Sequence, residues 1–178
     1  MNARAQLRSI FGSRPEPVDF EAVYRQEMPR IYNFFRFRVS DNGLAEDLTS
    51  KTFEKAWRSR ENYRQDMAAF STWLFTIAQR VLIDHLRQNQ TVISLDALAD
   101  VPANDNTEDV IQKRADFARL TVLLSQLAER DRELVALRYG AGLTNRTIAR
   151  LTGLSESNVG VLLHRAVLKL REEWEKQT

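Results

Sequence analysis

Residues Leu143–Leu170, LTNRTIARLTGLSESNVGVLLHRAVLKL, decide the fold of the second half of this chain. Thr144 or Asn145 can cap a first short helix, and Gly153 stands where that helix must end, because a helix C′ position favours positive φ. Ser155 then caps a second helix. Two helices joined by so short a turn predict a helix-turn-helix, which places a helix N-terminus in the major groove of DNA. An ordinary helical hairpin with no role in DNA binding is the alternative.

Apolar residues follow a helical spacing in both predicted helices. They are Ile148, Ala149 and Leu151 in the first, and Val159, Leu162, Leu163, Ala166, Val167 and Leu170 in the second. Recurrence at steps of three and four residues is typical of a helix that buries one side. Leu154 is expected to fill the corner between the two helices.

The composition excludes several classes of protein. The chain has 178 residues, of which 43% are hydrophobic and 28% charged, and no apolar run approaches the roughly 20 residues that span a bilayer. There is no cysteine, and the two histidines, His85 and His164, stand alone in the sequence, so neither a metal site nor a cofactor is expected. Residues 1–18 lack the apolar core of a secretory signal, so we expect a flexible leader and a cytoplasmic protein.

Charge is unevenly distributed, although the net charge is only +2. The stretch from Lys51 to Gln88 holds seven basic and four acidic residues, whereas Thr91–Asp109 holds five acidic residues and no basic one. The first stretch can attract phosphates and the second repels them. Solvated surfaces with no such partner are the alternative.

The whole pattern predicts an all-α protein of two small helical domains joined by a flexible acidic linker. The first domain spans residues 19–89, the linker 90–109 and the second domain 110–175. Helices are expected from Asp19 with a kink or restart at Pro29, then over 44–59, 70–87, 110–127, 130–138, 145–151 and 156–174. A turn is expected at Asp41-Asn42-Gly43, and a helix start at 106–109.

Three blocks give the chain a resemblance to bacterial RNA polymerase sigma factors of the extracytoplasmic-function (ECF) group. The block Ala45–Arg58, AEDLTSKTFEKAWR, resembles the helix of the σ2 domain that docks on the polymerase. The block Phe70–Arg87, FSTWLFTIAQRVLIDHLR, resembles the σ2 segment that opens and reads the −10 element. The block Leu143–Arg171 resembles the σ4 helix-turn-helix that reads the −35 element. The resemblance covers about Asp19–Glu175.

The resemblance implies a docking site for core RNA polymerase on the charged side of the first block. A rigid, exposed ridge with directional charge suits docking on a large partner, and a solvated helix face is the alternative. The ridge consists of Asp47, Lys51, Glu54, Lys55 and Arg58. The opposite, apolar side is expected to hold Leu44, Ala45, Leu48, Thr52, Ala56 and Trp57.

The resemblance also implies two contacts with promoter DNA. For the −10 element the candidates are Tyr63, Arg64, Arg80 and Arg87, because aromatic and basic side chains together bind an unstacked single strand. Trp73 is expected in the core, and Asp84 is expected to pair with a nearby arginine. For the −35 element the candidates are Arg146, Arg150, Ser155, Glu156, Ser157, Asn158, His164, Arg165 and Lys169.

The sequence departs from the family pattern at three places. Ser50-Lys51 stands where a Gln-Glu pair is common, and Arg80 replaces a familiar asparagine. Val159-Gly160-Val161-Leu162 replaces a recognition-helix motif that usually carries two basic residues and a serine. We therefore expect either fewer base contacts or an apolar surface at Val161 and Leu162 that binds protein.

The resemblance implies an alternative sigma factor that directs promoter-specific initiation, is not an enzyme and is held inactive by an anti-sigma factor. No nucleophile–base or metal constellation favours an enzyme, and no segment is expected to cross a membrane. The alternative is a sigma-like decoy that sequesters an anti-sigma factor without binding promoters. A stand-alone helix-turn-helix regulator is a weaker alternative, because it would need neither of the first two blocks.

Overall fold

The computed structural model describes residues 19–39, 41–64, 69–89 and 108–176, with all of their side chains except those of 89, 108–111 and 114. The α-helices in these ranges are α1 Phe20–Arg38, α2 Asn42–Arg58, α3 Phe70–Asn89, α4 Glu108–Ser125, α5 Glu129–Val135, α6 Asn145–Thr152 and α7 Glu156–Lys176. A 3₁₀ turn, Arg60–Asn62, follows α2, and a π-helical turn, Ala136–Gly140, continues α5. The described residues contain no strand, which confirms the all-α prediction for them. The predicted leader and most of the predicted linker lie outside the described residues.

A kink or a restart was predicted at Pro29, and the restart is wrong, because helix α1 runs through this proline. A proline inside a helix costs roughly 3 kcal/mol, because it removes one hydrogen bond and crowds the preceding turn. Ile31, Phe34 and Phe35 follow it on α1 and are fully buried. Each of these side chains contributes about 1.5–3 kcal/mol, so their burial together exceeds the cost of the proline.

The predicted turn at Asp41-Asn42-Gly43 is instead the start of α2. The Asp41 carboxylate accepts a hydrogen bond from the backbone N–H of Leu44 at 2.5 Å, which makes Asp41 the N-cap. Asn42 and Gly43 then lie in the first helical turn. Asp19 caps α1 in the same way, accepting from the N–H groups of Glu21 and Ala22.

The described chain has two halves: residues 19–89 with α1–α3 form the first, and residues 108–176 with α4–α7 form the second. One hydrophobic core runs through both halves. In the first half α2 packs on both α1 and α3, and in the second α5 and α6 pack on α7. The two halves meet where the π turn Ala136–Gly140 lies against α1. Phe34, Phe35 and Phe75 from the first half belong to the same buried cluster as Leu134 and Leu137 from the second. The predicted domains are therefore packed directly on one another.

Polar contacts also join the two halves. The Arg30 Nε donates to the carbonyl oxygen of Ala141 at 2.8 Å, and the Gln79 Nε2 donates to a carboxylate oxygen of Glu133 at 2.9 Å. The guanidinium of Arg36 lies 4.1 Å from the centre of the Phe117 ring. Arg38 pairs with Glu129. These contacts join residues 30–38 of α1, and α3 at Gln79, to the second half of the chain.

Candidate interfaces for DNA and RNA polymerase

The helix-turn-helix has the local geometry that the sequence predicted. The hydroxyl of Thr144 accepts a hydrogen bond from the N–H of Thr147 at 3.2 Å, so Thr144 caps α6. Gly153 has a φ of 73° and ends α6 in the left-handed region. The hydroxyl of Ser155 accepts from the N–H of Asn158 at 3.2 Å and caps α7. Since each of these interactions spans only a few residues, local chemistry suffices to build the turn.

The candidate −35 residues lie on the surface of α6 and α7. Val159, Leu163 and Ala166 bury one side of α7 in the core, which leaves the opposite side open to solvent. Arg146 and Glu156 form an ion pair at 3.6 Å across the turn. All nine candidates are exposed: Arg146, Arg150, Ser155, Glu156, Ser157, Asn158, His164, Arg165 and Lys169.

The four residues of the unusual segment Val159–Leu162 lie in four different environments. Val159 is fully buried, and Leu162 is partly buried against the core. Gly160 lies beside Asn145, whose Nδ2 would be 3.6 Å from a Cβ at position 160. Val161 is 48% exposed. The predicted apolar surface of Val161 and Leu162 is therefore reduced to Val161, because the helical period turns Leu162 towards the core.

The candidate −10 residues follow one side of α3 and the loop before it. Trp73, Arg80 and Arg87 recur every seven residues, which is about two helical turns, so they line the same side of α3. Arg64, Arg80 and Arg87 are exposed. The Tyr63 ring lies 5.2 Å from the ring of Trp73. Aromatic side chains thus stand at one end of a row of basic side chains.

Tyr63 belongs to an aromatic cluster at this end of α3. Its ring lies 5.0 Å from that of Phe70, and Phe70 lies 5.1 Å from Trp73. Burial raises the pKa of the Tyr63 phenol above its ordinary value, because the phenolate would lose hydration. Trp73 packs on the core as predicted, but it is only partly buried.

Arg80 lies in a cleft between the two halves. A cavity of about 420 Å³ opens between α3 and the second half of the chain. The residues that line it include Arg80 and Ile83 from α3, Arg130 and Glu133 from α5, and Leu151 and Leu154 from the helix-turn-helix. The side of α3 that carries the candidate −10 residues therefore faces the second half of the chain at Arg80.

The candidate docking ridge on α2 is exposed along its whole length. Glu54 and Arg58 form an ion pair at 2.5 Å on the ridge, one helical turn apart. Lys55 forms an ion pair with Asp84 of α3 at 3.1 Å. The predicted arginine partner for Asp84 is therefore wrong, and the partner is a lysine of the ridge itself.

Trp57 was predicted on the buried, apolar side of α2, and the structure corrects this position. Its side chain is 50% exposed, whereas Ala45, Leu48 and Ala56 are buried. The Trp57 ring meets the ring of Phe20 edge to face at 4.9 Å, and the guanidinium of Arg60 lies 4.1 Å from its centre. The tryptophan lies at the margin of the core because it follows Ala56 by one residue, about 100° around the helix.

Sequence reasoning missed a buried charged cluster at the junction of the two halves. Glu27 is 5% exposed and accepts from the Arg30 Nη1 with both carboxylate oxygens at 2.9 Å. The Ser71 hydroxyl donates to the same carboxylate at 3.2 Å, and Arg30 reaches the carbonyl of Ala141. The spacing of Glu27 and Arg30 was the available signal, but it is shared by exposed pairs.

Comparison with known proteins identifies the fold and its family. Residues 23–92 match the family described as Sigma-70 region 2, and residues 117–170 match the one described as Sigma-70, region 4. These two matches cover more than half of the chain and include α3 and the helix-turn-helix. The chain therefore belongs to the sigma-70 family of RNA polymerase sigma factors.

Relatives place the chain within that family. It is 30% identical to BldN of Streptomyces coelicolor over 154 residues, which are 85% of this chain and 58% of BldN. It is 26% identical over 168 residues to RpoE of Cereibacter sphaeroides, covering 94% of this chain and 92% of that protein. It is also 26% identical to SigM of Bacillus subtilis over 158 residues, 86% of this chain and 94% of SigM. All three are ECF RNA polymerase sigma factors, and the chain is a member of the ECF group.

Two solved structures share the fold. The sigma factor RpoE of Bartonella quintana, in complex with the anti-sigma factor NepR, matches with a TM-score of 0.70 and 22% identity over 88% of this chain and 97% of that chain. CnrH, in complex with the cytosolic domain of CnrY, matches with a TM-score of 0.64 and 21% identity over 98% and 96% of the two chains. No helix in the described ranges is long and apolar enough to cross a membrane.

Proposed function

We propose that this ECF sigma factor binds core RNA polymerase through the ridge on α2, opens promoter DNA along α3 and reads a −35 element with α7. The observation that supports this proposal is that the predicted residues of the three sites, except Tyr63, are exposed. The opposite sides of the same helices form one core. The protein acts by binding and does not itself catalyse a reaction. Its proposed site of action is the cytoplasm, where core polymerase and promoters are found.

Transcription in vitro tests the whole proposal. Purified core polymerase is given a library of random promoter sequences with and without this protein. We expect transcripts to be enriched for a two-part sequence motif only when the protein is present. Core binding without any enriched motif would contradict the proposal and support the sigma-like decoy.

The docking site is tested by reversing one charge on the ridge. Asp47→Arg is expected to weaken binding to core polymerase at least tenfold, because it reverses the charge of an exposed side chain within the ridge proposed to dock on the polymerase. Glu46→Arg is the matched control, since Glu46 is also exposed but lies about 100° away from Asp47 around the same helix. Equal effects of the two variants on core binding would count against the ridge.

Promoter opening along α3 requires the two halves of the chain to part. A single strand that follows Trp73, Arg80 and Arg87 needs room beside Arg80, where the second half now lies across the cleft. We infer that binding to polymerase or DNA separates the halves. For this, polymerase or DNA must make better contacts with the separated arrangement than with the closed one, since only such a difference can shift their populations. A crosslink between positions 79 and 133 should then block transcription but leave folding intact.

An anti-sigma factor is the proposed regulator. Of the two solved structures that share the fold, RpoE was captured with the anti-sigma factor NepR, and CnrH was captured with the cytosolic domain of CnrY. A partner that prefers the closed arrangement would inhibit by holding the two halves together. The matching measurement is the affinity of a candidate anti-sigma factor for wild type and for the crosslinked chain, which should bind it at least as tightly.

A further inference from the structure

Val161 is an apolar side chain on the side of α7 that faces away from the protein. It is 48% exposed, and the buried Val159 and Leu163 lie two residues before and after it. Two residues correspond to about 200° around a helix, so Val161 points away from the core that these two residues fill. Ser155 caps α7, and Val161 is therefore the sixth residue of the recognition helix.

The neighbours of Val161 on this outer side are polar. Ser157 lies one turn before it, and His164 and Arg165 lie about one turn after it, all exposed. Leu168 is also exposed, but it is seven residues further on, about 10 Å along the helix axis. A single valine among polar side chains is a small apolar patch, well below the size expected of a protein-docking surface.

The side chain of valine fits one feature of the major groove. It has no hydrogen-bond donor or acceptor, so it cannot read the polar edges of the bases. Thymine presents a C5 methyl group in the groove, and apolar side chains contact it. A valine in a helix also keeps almost a single χ1 rotamer, so its two methyl groups are already held in one position before DNA binds.

We propose that Val161 is a specificity-determining residue that reads the C5 methyl group of one thymine in the −35 element. This inference rests on the proposed function, because it requires α7 to enter the major groove. Ser157, Asn158 and Arg165 supply the polar contacts around it. The loss of basic side chains from this helix then changes what is read and does not simply remove a contact.

Uracil in place of thymine provides the test, because it lacks only the C5 methyl group. The −35 sequence is first selected from the random promoter library with polymerase holoenzyme, and each thymine is then replaced singly by uracil. We expect one replacement to weaken the wild-type promoter complex about fourfold, the ratio that corresponds to burying one methyl group. The same replacement should have a smaller effect on the Val161→Ala complex, because alanine is shorter and reaches less of the thymine methyl group.

Two control variants separate this role from others. Val161→Thr keeps the branched shape but exchanges a methyl for a hydroxyl, and it should respond to uracil less than wild type. Leu168→Ala should keep the full response, because Leu168 lies two turns further from the helix N-terminus. Circular dichroism and binding to core polymerase verify that each variant is folded.

The outcomes are distinguishable. A sequence-specific complex in which wild type and Val161→Ala respond equally to uracil, or in which wild type does not respond at all, overturns this inference but leaves the sigma-factor function in place. Weaker core binding by Val161→Ala with unchanged promoter selection also overturns it and assigns the side chain to a protein contact. A holoenzyme that selects no −35 sequence overturns both proposals.

Discussion

The carbonyl oxygen of Asn33 in α1 lies 2.9 Å from the point that a Cβ atom on Gly140 would occupy. The carbonyl carbon of Asn33 and the ring of Phe37 lie 3.2 Å from the same point. Gly140 ends the π turn that joins α5 to the helix-turn-helix, and it is buried. The absence of a side chain at this position therefore lets the second half of the chain approach the backbone of α1.

Gly140→Ala is expected to loosen the contact between the two halves. The neighbouring atoms include backbone atoms, so the added methyl group must displace α1 or the π turn, and overpacking of this kind costs about 1–3 kcal/mol. Denaturant unfolding should show the lower stability. Hydrogen exchange should show faster exchange in both α1 and the π turn, and unchanged exchange in these two segments would contradict the predicted contact.

Gly160→Ala is expected to have the opposite effect. Its Cβ would meet the Asn145 Nδ2 at 3.6 Å, an ordinary contact distance, and Gly160 lies inside α7. Alanine is favoured over glycine in a helix by about 1 kcal/mol, which corresponds to a rise of roughly 2–4 °C in Tm for a chain of this size. A fall in Tm measured by circular dichroism would mean that α7 needs the glycine.

Glu27→Gln is expected to lower the free energy of unfolding by about 1.5–3 kcal/mol. The substitution keeps the size of the side chain but removes the charge that accepts hydrogen bonds from Arg30 and Ser71 in a buried position. Glu21→Gln is the control on the same helix, since the Glu21–Arg25 pair is largely exposed and should contribute less than about 1 kcal/mol. If urea unfolding showed similar losses of unfolding free energy for both variants, the buried Glu27 contacts would stabilise the fold no more than an exposed pair does.

Tyr63 is expected to make stability fall at high pH. Burial raises the pKa of its phenol in the folded chain, so as pH rises above about 10 the unfolded chain loses this proton first and is favoured. Tyr63→Phe should therefore lose less stability than wild type between about pH 8 and pH 11. Tyr139→Phe makes the same substitution at a position that is 56% exposed and serves as the comparison. Identical pH profiles for Tyr63→Phe and wild type would mean that its phenol is not shielded from water.

Local chemistry made much of the fold and of the site predictable. The caps at Thr144 and Ser155 and the left-handed Gly153 are decided within four residues, and the structure has all three as expected. The helical period likewise predicted the exposure of the ridge on α2. It erred by one position at Trp57, because a period alone does not say how wide a buried stripe is. The proposed roles in polymerase docking and promoter reading remain predictions.

The sequence by itself determined the helices, their caps and the surfaces on which the candidate site residues lie, because these depend on neighbours a few residues apart. Only the tertiary structure decided which distant residues meet. Lys55 and Asp84 are 29 residues apart, and Arg30 and Ala141 are 111 apart. The tertiary structure likewise determines the packing of Gly140 on Asn33 and the position of Arg80 in the cleft. Such contacts depend on how whole helices stack around a shared core, and no local pattern encodes that arrangement.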